Sequence, residues 1–178
     1  MSKLSNYIGY CILKRKKKKT VRETQVHNFK TARSAHIIFD ASSAEHFPVI
    51  KDLRKYLKSF DIESRAIGLV NQKEVPSQLL FWDKFDYITR KEINWYKKPK
   101  GKVAESFLMD SPDILFDLTI NPSLEVQFLV QLSKANFKIG CYTEEENDYD
   151  LMIRTDRKGD TRYFVDQIKH YVNMLNPS

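Results

Sequence analysis

Residues 112–140, PDILFDLTINPSLEVQFLVQLSKANFKIG, constrain the fold more than any other part of the chain. Ile114, Leu115, Phe116, Leu118 and Ile120 form a short, nearly continuous apolar run. That is the pattern of a strand covered on both faces, as in a parallel sheet. Asn121-Pro122 then punctuates the chain. Leu124, Phe128, Leu132 and Ala135 follow at helical spacing and predict a stripe that packs on the sheet. Residues 137–140 return as a second strand. The unit is strand, helix, strand, with a right-handed crossover expected between parallel strands.

The same alternation runs through the body from Ala35 onward. Residues 36–40 read as a strand, and the helix after it carries Phe47, Ile50, Leu53 and Leu57 on its core face, with Ser43 as a candidate cap. Residues 65–70 are a second strand ending at Asn71, and 85–89 a short third. Between them, Leu79, Leu80, Phe81 and Trp82 predict a packed turn or short helix. Residues 103–109 read as a helix leading into the central unit. A last strand over 151–154 precedes a helix capped by Asp160 or Thr161, with Phe164, Ile168, Tyr171 or Val172, and Leu175 as its buried stripe. The expectation is a three-layer α/β domain over residues 35–178. Its sheet is doubly wound, mainly parallel and of five or six strands, Rossmann-like or flavodoxin-like.

Charge separates the first 34 residues from the rest. Ten of the 30 Lys and Arg fall there with one of the 23 Asp and Glu, so this arm carries +9 and the remainder −2. Leu4, Ile8 and Ile12 share a helical face, and Lys14, Arg15, Lys16, Lys17, Lys18 and Lys19 are consecutive. A basic helical arm fits a solvated helix on the body, an anionic membrane surface, or nucleic-acid phosphates. Cys11 and Cys141 form no disulfide framework, which suits a reducing compartment. The apolar run 7–13 is too short to span a bilayer, and it makes a poor signal peptide because its charges follow it. The expected location is cytoplasmic, with peripheral contact at the inner face of the membrane as an option.

Missing motifs narrow the chemistry. No GxGxxG, P-loop, HExxH or GxSxG pattern is present, and the four histidines lack metal-ligand spacing. The acidic stretch 144–150 lacks the spacing of a calcium loop and reads as a solvated loop. No cofactor and no metal are therefore expected. In a doubly wound sheet, ligands bind beyond the carboxyl ends of the strands where the strand order reverses. With strand order 3-2-1-4-5, Asp40, Ser42 and Ser43 face Asp117, Thr119 and Asn121 across that point. Asp40, Asp117 and Asn121 are candidate catalytic residues, and Ser42, Ser43, Asn71 and Thr119 candidate ligand contacts. The acids suit metal or proton chemistry, and equally the capping of helices and loops. Trp95 and Tyr96 stand beside Lys97, Lys98 and Lys100, a make-up that stacks on a base or sugar or else plugs a loop.

The stretches FDLTINPSLEVQFLVQLSKANFKIG, INWYKKPKG and DYDLMI, with the later QIKHYVNML, resemble a small bacterial family of unknown function over residues 35–177, and the basic arm looks typical of it. The resemblance brings no activity and no catalytic residues. The DLTIN strand end, helix and ANFKIG strand are also similar to the N-terminal half of heptosyltransferase-type glycosyltransferases. Those enzymes pair two Rossmann-like halves and bind the nucleotide sugar mainly in the second, whereas this chain has length for one. The expectation is a non-enzymatic binding module whose arm contacts an anionic surface. The alternatives are a small glycosyltransferase-like enzyme and an RNA- or ribosome-associated protein.

Overall fold

In the computed structural model, residues 3–79, 85–120, 122–157 and 159–177 are described. Leu80, Phe81 and Trp82 of the expected turn, and the candidate Asn121, lie outside them. The elements run α1 (Lys3–Lys17), β1 (Ser34–Asp40), α2 (His46–Lys58), β2 (Glu63–Leu69), β3 (Phe85–Ile88), α3 (Lys102–Met109), β4 (Ile114–Asp117), α4 (Leu124–Leu132), β5 (Phe137–Cys141), β6 (Leu151–Ile153) and α5 (Thr161–Met174). The six strands are all parallel in the order β3-β2-β1-β4-β5-β6. This is the expected α/β, Rossmann-like architecture, and the order reverses between β1 and β4.

Side-chain alternation along the strands builds two cores. Ile37 and Phe39 of β1 and Phe116 of β4 face α2 and α5, where Phe47, Ile50, Leu53, Phe164, Ile168 and Val172 are buried. Ile38 and Leu115 face the other way, toward Phe107 of α3 and Val126, Leu129 and Val130 of α4. β4 is shorter than its apolar run: it ends at Asp117, the Leu118 N–H still donates to the Ile38 carbonyl at 2.9 Å, and the chain then leaves the sheet. Ser43 does not cap α2. The helix starts at His46, and the Ser43 hydroxyl accepts the Glu45 N–H at 3.4 Å in a local turn. Asp160 does cap α5, accepting the Tyr163 N–H at 2.8 Å.

Two helices depart from the sequence expectation for one reason. Leu124, Phe128 and Leu132 of α4 do not face the sheet but form a third cluster with Leu13 of α1. The sheet-facing side of α4 is Val126, Leu129 and Val130, so a helix with apolar residues on two opposite sides is covered on both. α1 correspondingly buries Gly9 and Leu13, while Leu4 is 63% exposed. The Leu4–Ile8–Ile12 face is thus split, with its outer edge in solvent. Gly9 is where α1 touches the body: a Cβ there would collide with the Tyr96 carbonyl and with Leu124. Gly9→Ala is expected to lift α1 from α4 and cost about 1–3 kcal/mol, the usual penalty of overpacking. Urea unfolding measures it, and faster proteolysis between α1 and β1 should accompany it.

The acidic stretch 144–150 is a solvated loop only in its first half: Glu144, Glu145 and Glu146 are exposed, whereas Asp148 and Asp150 are tied to basic side chains. Asp148 receives Lys138 Nζ at 2.5 Å and Lys17 Nζ at 3.0 Å. Asp150 takes a two-pronged contact from Arg22, at 2.7 and 2.9 Å. Glu146 pairs with Lys14 at 2.7 Å across an exposed surface. Part of the arm's positive charge therefore ties the arm to the body.

Candidate functional site

In a parallel α/β fold every helix that follows a strand begins at the carboxyl edge of the sheet. Here α2, α4 and α5 start at the same edge, beside the β1–β4 reversal. They surround a cleft of about 660 Å³. His46 at the start of α2, Ser123, Leu124, Glu125 and Val126 at the start of α4, and Thr161 at the start of α5 all line it. The strand ends add Asp40, Ser42, Asn71 and Thr119, and Asn6 of α1 reaches the rim. Apolar walls come from Leu69, Val70, Ile93, Leu118 and Ile120. The volume and the mixture of apolar wall with a few polar groups are those of a small-molecule site.

The polar groups are held in defined states. Asp40 Oδ1 accepts the Ser42 N–H at 2.8 Å, which ties one carboxylate oxygen to the turn after β1. His46 Nδ1 lies 2.6 Å from the Asp40 carbonyl oxygen. A carbonyl only accepts, so Nδ1 carries the proton and donates, and Nε2 of the neutral ring is left as an acceptor or base. Arg90 Nε donates to Asn71 Oδ1 at 2.8 Å, which orients the guanidinium at the cleft wall. Lys97 donates to Glu125 at 2.8 Å, with both side chains largely buried. Burial pushes the Glu125 carboxyl up, but hydrogen bonds from Lys97, its own backbone N–H and Ser123 hold it below the usual carboxylate range. Thr161 is only 7% exposed, and its hydroxyl has no hydrogen-bond partner among the described residues.

Asp117 stands behind this surface. It is fully buried and does not line the cleft. Its Oδ1 accepts the Thr119 N–H at 2.9 Å and the Thr119 hydroxyl at 2.6 Å, and its Oδ2 accepts the Tyr149 hydroxyl at 2.5 Å. No cation contacts it among the described residues. Burial pushes its pKa from 3.8 up to about 6, against the pull of those hydrogen bonds. Because Thr119 spends its hydroxyl proton on Asp117, it presents lone pairs to the cleft. Gly140 makes the arrangement possible, since a Cβ there would strike the Tyr149 ring.

Of the residues singled out from sequence, the cleft gathers Asp40, Ser42, Asn71 and Thr119. Asp117 supports Thr119 from within. Ser43 lies in the turn beside the cleft, outside its lining. Trp95 is 66% exposed, and Tyr96 packs toward Phe128, with ring centroids 6.5 Å apart. His46, Arg90 and Glu125 were not anticipated; Lys97 was singled out only with the aromatic loop, and Thr161 only as a candidate helix cap. His46 left a weak signal, as the residue three positions after Ser43 where a capping box would carry Glu or Gln. Among the described residues, no group of three or more His, Cys, Asp or Glu converges as a metal site.

A model of a family of unknown function, DUF6913, matches residues 6–175. No curated protein matches the chain. The chain belongs to DUF6913, and the match spans the arm and the α/β body alike.

Proposed function

We propose that this member of DUF6913 is a small-molecule-binding module whose ligand occupies the cleft beyond β1 and β4. The observation that carries the reading is the convergence of polar side chains from separate elements on one cleft at the strand-order reversal. The chemistry favours a hydroxyl-rich metabolite with one anionic group. Carboxylates and amides such as Asp40 and Asn71 suit vicinal hydroxyls. Arg90, the Thr161 hydroxyl, which has no partner among the described residues, and the starts of α4 and α5 suit a phosphate or carboxylate. Glu125 is neutralised by Lys97, so it does not repel the anion.

A thermal-shift screen tests this with ribose, ribose 5-phosphate, AMP, UMP, glucose 6-phosphate and inorganic phosphate as probes. A phosphorylated sugar or nucleotide should stabilise the chain. Arg90→Ala should weaken that binding at least tenfold, as expected for loss of a charge-assisted contact. Uniform failure of the probes, or shifts unaffected by Arg90→Ala and Asp40→Asn, would contradict it.

The fixed His46 ring favours a second reading, in which the module also acts on its ligand. A base held by a backbone carbonyl with Nε2 open can take a proton from a ligand hydroxyl. That is the glycosyltransferase-like alternative, with Asp40 and His46 rather than Asp117 at the reacting end. Slow conversion of a bound probe, lost in His46→Gln while binding persists, distinguishes turnover from binding alone.

A further inference from the structure

We propose that the outer face of α1, with the basic run that continues it, forms a docking surface for an anionic membrane. The underside of α1 is bolted to α4 through Gly9 and Leu13, so the opposite face is displayed as a preformed helix. Leu4, Tyr7 and Cys11 lie on that face at spacings of three and four, and Arg15 and Lys18 continue it. Leu4, Tyr7 and Cys11 are exposed, as are Arg15, Lys16, Lys18 and Lys19. The 94–100 loop meets α1 from the body side, at the Gly9–Tyr96 contact, with Trp95 66% exposed and Lys100 in solvent. Lys98 of this loop adds charge at the flank of the helix: burial lowers its ammonium pKa first, and the nearby charge of Lys16 lowers it further.

Two basic segments far apart in sequence are therefore held side by side. Lys14 and Lys17 are matched by Glu146 and Asp148, but no carboxylate is paired with Arg15, Lys16, Lys18 or Lys19 among the described residues. Such a field attracts an anionic surface. The leading half of the face selects lipid over nucleic acid. An aliphatic Leu4 has no use against a base, whereas Leu and Tyr seat themselves at the boundary between headgroups and acyl chains. Among the described residues, no helix is long and apolar enough to cross a membrane, so the contact is peripheral.

Flotation of the full chain with vesicles of phosphatidylcholine alone, or mixed 3:1 with phosphatidylglycerol, tests the proposal at low and high salt. Binding should need the anionic lipid and fall steeply with salt. Lys18→Glu with Lys19→Glu should lower partitioning at least 25-fold, at about fivefold for each cation lost. Leu4→Glu with Tyr7→Glu should lower it comparably while the neighbouring charges remain. All four positions are exposed, and unchanged unfolding curves confirm that the variants fold. Flotation with neither vesicle, equal flotation with both, or variants that bind like the parent would overturn the proposal. A poly(U) shift without vesicle binding would overturn it in favour of nucleic acid. None of these results depends on the β1–β4 cleft.

Discussion

Asp148→Ala is expected to lose about 3–5 kcal/mol of folding stability, the range for breaking a buried ion pair by removing one partner. The reason is Lys138. Its side chain is wholly buried on β5, and its ammonium meets Asp148 at 2.5 Å. Without that carboxylate, a cation stays in the interior with its principal partner gone. Lys17 and Arg22 lose the same carboxylate, so the arm loosens together with β5. Lys138→Met should behave differently. It removes the buried charge and leaves Asp148 with Lys17 and Arg22, so the cost should stay within about 1 kcal/mol. Urea denaturation of both variants at pH 7.5 measures the contrast. The Asp148→Ala deficit should also shrink at alkaline pH. Burial already depresses the Lys138 pKa, with Asp148 opposing that shift. Removing Asp148 drives the folded pKa further below the unfolded value, so stability returns as pH rises through it.

Asp117→Asn is expected to stabilise the fold at neutral pH, by about 1–3 kcal/mol. A folded pKa raised from 3.8 to about 6 corresponds to about 3 kcal/mol. The sign follows from the direction of the shift. Protonation is favoured in the fold, so this carboxyl's contribution is fully present below about pH 4 and is lost as pH rises through about 6. An amide never ionises. Its Oδ1 keeps the two bonds from Thr119, and its Nδ2 donates to the Tyr149 hydroxyl in place of the bond the carboxylate accepted. The gain over the parent should be largest at pH 7.5 and vanish near pH 4. Unfolding curves at pH 4, 6 and 7.5 measure it. A loss of 2 kcal/mol or more at pH 7.5 would mean that the network depends on the charge itself. A stabilised Asn variant with altered cleft binding would mark Asp117 as a group that positions Thr119 at a cost in stability.

The strand order and its reversal point were legible because an apolar run such as 114–120 has few places in a fold other than a central parallel strand. Asp40, Ser42, Asn71 and Thr119 followed from that topology, since they stand at or just beyond strand ends. Arg90, Lys97 and Thr161 did not, because their approach depends on how a loop and two helix starts pack from different faces. Asp117 was legible as a buried acid needing partners, but not as one turned toward Tyr149, 32 residues away. The clamp at Asp148 had a visible signal in the opposite charges of 14–22 and 144–150. Each segment taken alone looked solvated, and only tertiary proximity pairs them. The double burial of α4 was also visible, in apolar residues on two opposite sides of the helix.

The proposed ligand site is the cleft between β1 and β4. An amide-resolved NMR titration of the full chain with ribose 5-phosphate, against ribose and inorganic phosphate as controls, tests it most directly. Saturable shifts are expected at Ser42, Asn71, Thr119 and Thr161 together, largest for ribose 5-phosphate. Shifts confined to residues 14–19, or no saturable shift at those four positions, would contradict it.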